Sequence, residues 1–219
     1  MQFALAKTIS ILFHPLFLIT YVTLYFLWLN PYEFGVNDGS DQMPFLFLVL
    51  FSTVVIPGLA VVMMRFLGLV KSLEMKERHD RIFPYIITGI FYIWLATNVM
   101  KSSQAPRDYV AFILGAAIAL FLAFLINNFS KVSAHAVGMG GLIAFFAIQL
   151  IIFHSPPIYL SFSNGAFWVI PLLVILMLVI LITGLVCSSR LVLGAHTHTE
   201  LYQGILIGIL GNFASLLFI

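Results

Sequence analysis

The sequence predicts an all-α protein: a polytopic transmembrane helical bundle of six to seven spanning helices, in one integral membrane domain over residues 1–219. Three observations predict it. Of the 219 residues, 62% are apolar and only 8% are charged, against roughly 25% charged in a typical soluble domain. Mean hydropathy is +1.12. The apolar residues also fall in continuous runs near the ~20 residues that a spanning helix needs. A β-barrel strand would alternate instead. The same composition excludes a disordered chain, a disulfide scaffold and a basic nucleic-acid-binding surface. Cys187 is the single cysteine, so no internal disulfide can form.

Seven runs follow in order. The first, Ile9–Leu29, is long, and no small-residue cleavage site follows it, which marks a span rather than a signal peptide. His14-Pro15 bends or starts this helix. Asn30–Met43 is a polar loop with turn chemistry at Asn37-Asp38-Gly39-Ser40. The second run is Pro44–Val70. The third, Pro84–Met100, is short. The fourth is Tyr109–Ile126, and the fifth, Val137–His154, is interrupted by glycines. Ala166–Val186 and Tyr202–Ile219 complete the set. The 22 Phe, 8 Tyr and 3 Trp suit lipid-facing and interfacial positions.

Charge is scarce in such a chain and costly within a bilayer, so its positions are informative. With seven spans, the N-terminus and the loops after the second, fourth and sixth helices share one face. That face holds eight of the ten basic residues. It also holds Glu74, Glu77, Asp80, Glu200 and four histidines: His79, His135, His196 and His198. Ten of the eighteen charged residues lie in three short clusters there, which makes that face the candidate site.

The first cluster is Lys71–Arg81, followed by Pro84. It is either a solvated helix connection or a set of cations aimed at an anion, for which arginine's planar fork is suited. The second is Lys131–Gly138. Ser133 is a candidate N-cap, and a helix N-terminus favours phosphate. His135 falls in the first helical turn, as a proton donor or as a solvated helix-end residue. The third is Ser188–Glu200. His196 and Glu200 stand four apart and share a face if this stretch is helical. Glu200 then accepts the Nδ1–H of His196 and leaves Nε2 free as nucleophile or base. His198 points elsewhere. Metal binding by His196, His198 and Glu200 lacks a supporting ligand spacing, so no metal is expected. His14 and His154 lie in other helices and offer no evident haem pair, and no cofactor is expected.

These residues resemble the type 2 phosphatidic acid phosphatase superfamily over about residues 44–219. Its third signature, Ser-Arg-x5-His-x3-Asp, is matched by Ser189-Arg190-x5-His196-x3-Glu200. Its second, Pro-Ser-Gly-His, is matched in part by Val132-Ser133-Ala134-His135. Its first, Lys-x6-Arg-Pro, is approached by Lys71-x6-Arg78, with His79 in place of proline. Lys76 and Arg81, ahead of Pro84, form a shifted alternative. The resemblance implies a metal-independent phosphatase acting through a phosphohistidine. His196 would be the nucleophile, Glu200 its orienting partner and His135 the general acid. Arg190, Ser133, and Lys71 with Arg78 or Lys76 with Arg81, would bind phosphate. The implied substrate is a lipid phosphate or diphosphate, its headgroup at the cluster and its tails among the helices, with membrane lipids as the surrounding partners.

The departures bear on this expectation. Glu for Asp adds a methylene, Ala134 narrows the approach of backbone N–H groups to phosphate, and Val132 loosens the helix start. They leave open a catalytically silent relative that binds or transports an anionic lipid or small anion. The positive-inside rule puts the basic face in the cytoplasm. Without the five candidate phosphate binders, however, the basic count is three against two. The expected location is the inner membrane of a bacterium, with the site leaning to the cytoplasm.

Overall fold

The computed structural model describes residues 2–72, 75, 77–161 and 166–219. Among these, helices dominate. The helices are α1 (Gln2–Leu12), α2 (Pro15–Leu29), α3 (Met43–Leu50), α4 (Ile56–Phe66), α5 (Ile82–Lys101), α6 (Arg107–Asn127), α7 (Ala134–Ile151), α8 (Leu172–Val192) and α9 (His198–Ser215). Five segments are long and apolar enough to cross a membrane: Gly39–Phe66, His79–Lys101, Arg107–Asn127, Ala134–Ile151 and Leu172–Val192. The bent pair α1–α2 makes a sixth if it is one span.

The first run is therefore broken, at the point where His14-Pro15 was expected to act. Pro15 opens α2 with its missing N–H in the position where none is needed. His14 caps it in an extended conformation, accepting the Leu16 N–H at Nδ1. The two helices meet at 58°. In the second run, α3 passes into α4 through a wider π turn at Phe51–Val55. It precedes Pro57, which has no N–H to return to the preceding turn.

Two expectations about the later spans need correction. The sixth run was expected to begin at Ala166, but Phe167–Ile170 is strand β2, paired antiparallel with β1 (Ile158–Ser161). The sequence Phe-Trp-Val-Ile favours a pleated strand, and Pro171 steers the residue before it away from the helical region. α8 starts only at Leu172. The seventh run is helical from His198, four residues earlier than expected. It is also less apolar than the five spanning segments, because His198, Glu200, Gln203 and Asn212 lie within it.

One face of α9 carries glycines and Asn212 and packs closely against α7 and α6, while Tyr202, Leu206, Leu210 and Phe213 are exposed on the other. A β-carbon on Gly208 would overlap the Val137 carbonyl oxygen, and one on Gly140 would overlap the Ile205 carbonyl. One on Gly211 would stand 2.6 Å from the Ala119 β-carbon. Small residues on facing helices let the backbones approach closely, as in membrane-type helix packing. Asn212 is buried among them and donates from Nδ2 to the Gly208 carbonyl at 3.1 Å. On the outside, α8 exposes Leu173, Met177, Leu178, Leu181 and Leu185. Surface this apolar needs an apolar solvent or partner.

Candidate active site

The close α7–α9 contact brings the second and third clusters together. Ser133 caps α7, accepting the Ala136 N–H at 3.4 Å, and its own N–H donates to the Glu200 carbonyl at 3.4 Å. Lys131 Nζ donates to the Ala195 carbonyl at 2.9 Å. Ser130 Oγ lies 2.6 Å from Gln203 Oε1. The first cluster joins through two arginines. Arg78 Nη1 donates to the Asn128 and Phe129 carbonyls, at 3.0 and 2.9 Å. Arg81 donates from Nη1 to the Val132 carbonyl at 2.8 Å and from Nε to the Met75 carbonyl at 3.0 Å. All three clusters therefore meet at one end of the bundle.

His196 Nδ1 lies 3.0 Å from Glu200 Oε2. A carboxylate can only accept, so Nδ1 carries the proton and Nε2 keeps its lone pair. The pairing has a different cause from the one the spacing suggested. His196 is outside the helix, which begins at His198. Thr197 is the N-cap, and with Glu200 it forms a capping box. Glu200 Oε2 accepts the Thr197 N–H at 3.1 Å as well as the imidazole proton. The box holds the carboxylate still, and the residue before the cap falls within its reach. His198 turns outward and stacks near Tyr202. Among the described residues, no three His, Cys, Asp or Glu side chains gather as metal ligands.

His196 is 8% exposed. Burial holds its pKa down to about 4, with Arg81 and Arg190 adding to the effect and the Glu200 hydrogen bond opposing it. Its ring is thus neutral at ordinary pH, the form a nucleophile needs. The sign of the linked stability follows. An unfolded chain protonates this histidine near 6.5 and the folded one only near 4, so between those values the unfolded state binds more protons. Stability is expected to be full above about pH 6.5 and to fall as pH drops toward 4. Melting curves of the wild type and His196→Asn across that window check this: the variant's decline should be shallower, and parallel declines would refute it.

His135 lies in the first turn of α7 and is buried. Its Nε2 donates to the Ser10 carbonyl of α1 at 3.0 Å. Ser10 Oγ pairs with Ser189 Oγ at 3.1 Å, next to Arg190 in sequence. The His14 ring meets the His135 ring edge-to-face, with centroids 5.3 Å apart. His14, His135 and His196 all lie within electrostatic reach of Arg190. Sequence reasoning assigned His14 and Ser10 no part here. His14-Pro15 carried only a helix-start signal, and nothing local in Ser10 marks it.

The remaining candidates divide. Arg81 is buried near His196 and Glu200. One turn on, the buried Tyr85 hydroxyl has no hydrogen-bond partner among the described residues. Arg78 is exposed and lines an open depression of about 550 Å³, with Glu77, His79, Phe129, Ser130, Lys131 and Glu200. His196, His135 and Arg190 do not line it. Lys71 is exposed and paired with Glu77 at 2.8 Å. Lys76 lies outside the described residues. Ser133 Oγ is wholly buried in its capping role. No protein-family profile, curated protein or solved structure matches this chain.

Proposed function

We propose that this chain is an integral membrane phosphatase that removes phosphate from a lipid phosphate or lipid diphosphate through a phosphohistidine. The observation that carries the reading is the pairing of buried His196 with half-buried Glu200, which leaves Nε2 free in the field of Arg81 and Arg190. The apolar outer surface supports placement in a bilayer, and the basic residues at the site's end favour its cytoplasmic side.

In the first step His196 Nε2 attacks phosphorus and forms a P–N bond as the P–O bond to the lipid breaks. Glu200 stabilises the positive charge that develops on the ring. Arg190 and Arg81 offset charge on the equatorial oxygens, positioned before the reaction begins. The step uses His135 in its protonated, imidazolium form. The ring's Nε2–H then passes to the departing oxygen. In the second step water attacks phosphorus and His135 takes its proton. The P–N bonding pair returns to His196, and inorganic phosphate leaves.

The test is phosphate release from a panel of lipid phosphates in detergent, without added metal. His135→Ala is expected to slow release by roughly 10²–10⁴-fold, the usual contribution of a positioned acid–base group. A second reading, a silent anion binder, draws on one observation: the His135 Nε2–H is already engaged by Ser10. Retained binding of a lipid phosphate with no release from any member of the panel would establish that reading instead.

A further inference from the structure

α1 docks on the site with very little of its own surface. Only Ala6 and Ser10 are buried, while Phe3, Leu5, Ile11 and Leu12 are each more than half exposed. It packs chiefly against α8. Yet the buried Ser10 touches both halves of the site at once. Its carbonyl oxygen accepts from His135 Nε2 at 3.0 Å, and its hydroxyl pairs with Ser189 at 3.1 Å. The helix then breaks at Phe13-His14, where the chain turns by 58° into the well-buried α2. An element with few buried apolar contacts, attached at a break, opens at low free-energy cost.

The His135 Nε2–H is also the proton that the leaving oxygen must receive. One N–H cannot be held by a backbone carbonyl and delivered to a substrate in the same geometry. We infer that α1 is a lid over the site, and that the substrate's leaving-group oxygen takes the position on His135 now held by the Ser10 carbonyl oxygen. Ser10 is thus a stand-in that satisfies a buried donor while the site is empty. Because α1 carries apolar side chains on its outer face, its opening leads toward lipid. A lipid phosphate can then enter along the bilayer without leaving it. This inference rests on the phosphatase reading for the identity of the leaving oxygen.

The test locks the lid. In a Cys187→Ala background, Ser10→Cys with Ser189→Cys places two thiols where hydroxyls now stand 3.1 Å apart, so that oxidation bridges α1 to α8. Phosphate release from a lipid phosphate in detergent should be at least tenfold lower in the oxidised protein than in the same protein after reduction. A second measurement does not require turnover. Ser10→Cys alone, in the same background, is labelled with a maleimide, with and without inorganic phosphate or the lipid phosphate. Ligand should speed labelling several-fold.

Faster labelling without turnover by the wild type keeps the lid and overturns the phosphatase reading. Equal turnover in bridged and reduced protein, or labelling indifferent to ligand, overturns the lid whatever the enzyme does. Faster labelling with inorganic phosphate alone would show that the phosphate group opens α1; a response confined to the lipid phosphate would assign that role to the lipid part.

Discussion

His196→Ala is expected to reduce phosphate release by at least about a thousandfold, the scale on which enzymes lose rate with a covalent nucleophile. The ring is buried, neutral and fixed through Nδ1, so no neighbouring group can take its place: His198 faces outward and His135 is turned to α1. The covalent step gives a second readout. Wild-type protein incubated with ³²P-labelled lipid phosphate and quenched in alkaline detergent should carry acid-labile, base-stable label that His196→Ala lacks. Release unaffected by His196→Ala would end the proposed mechanism. Label retained in the variant would move the nucleophile to another residue.

The second large effect is on stability. Gly208→Ala is expected to destabilise the bundle by about 1–3 kcal/mol or more, because the added β-carbon meets the Val137 carbonyl on rigid backbone. It should also reduce activity, since α7 and α9 carry His135 and Glu200 on the two sides of that contact. Gly184→Ala is the matched control. It lies on α8 with open space around its β-carbon position, and alanine is the better helix former there. Apparent melting temperatures in detergent decide the matter. Gly208→Ala should melt well below both the wild type and Gly184→Ala, and equal melting would show that the α7–α9 contact is looser than described.

Much of the architecture was legible, and particular residues show why. The long apolar runs at Pro44–Val70, Tyr109–Ile126 and Val137–His154 became spanning-length helices because composition alone dictates helix where backbone groups must be satisfied within the segment. The errors occurred where composition is ambiguous. Phe167–Ile170 is as apolar as a helix end but pairs as a strand, and only Pro171 hinted at that boundary. α9 is below the other spans in apolarity because it carries the polar residues of the site end and the glycines that pack on α6 and α7.

The candidate site shows the same division. The spacing of His196 and Glu200 revealed their partnership, because a carboxylate four residues on comes within reach in a helix and, as here, across a helix N-cap. The mechanism of that partnership, a capping box on Thr197, required knowing that the helix starts at His198. The choice among first-cluster cations was also hidden. Lys71, Arg78 and Arg81 are equivalent as charges in sequence. Folding pairs Lys71 with Glu77, leaves Arg78 on the rim and buries Arg81.

Local chemistry thus sufficed for the apolar character of the chain, the order of its helices and the gathering of scarce charge into three clusters. Each of these depends on neighbours within a few residues or on the sum of composition. Folding alone placed Ser10 on His135, 125 residues away, and set His14 against the same ring. The reason is physical. A buried imidazole N–H must find an acceptor, but which carbonyl lies within reach depends on how α1 is bent and where α8 holds it, and no short stretch of sequence contains that information.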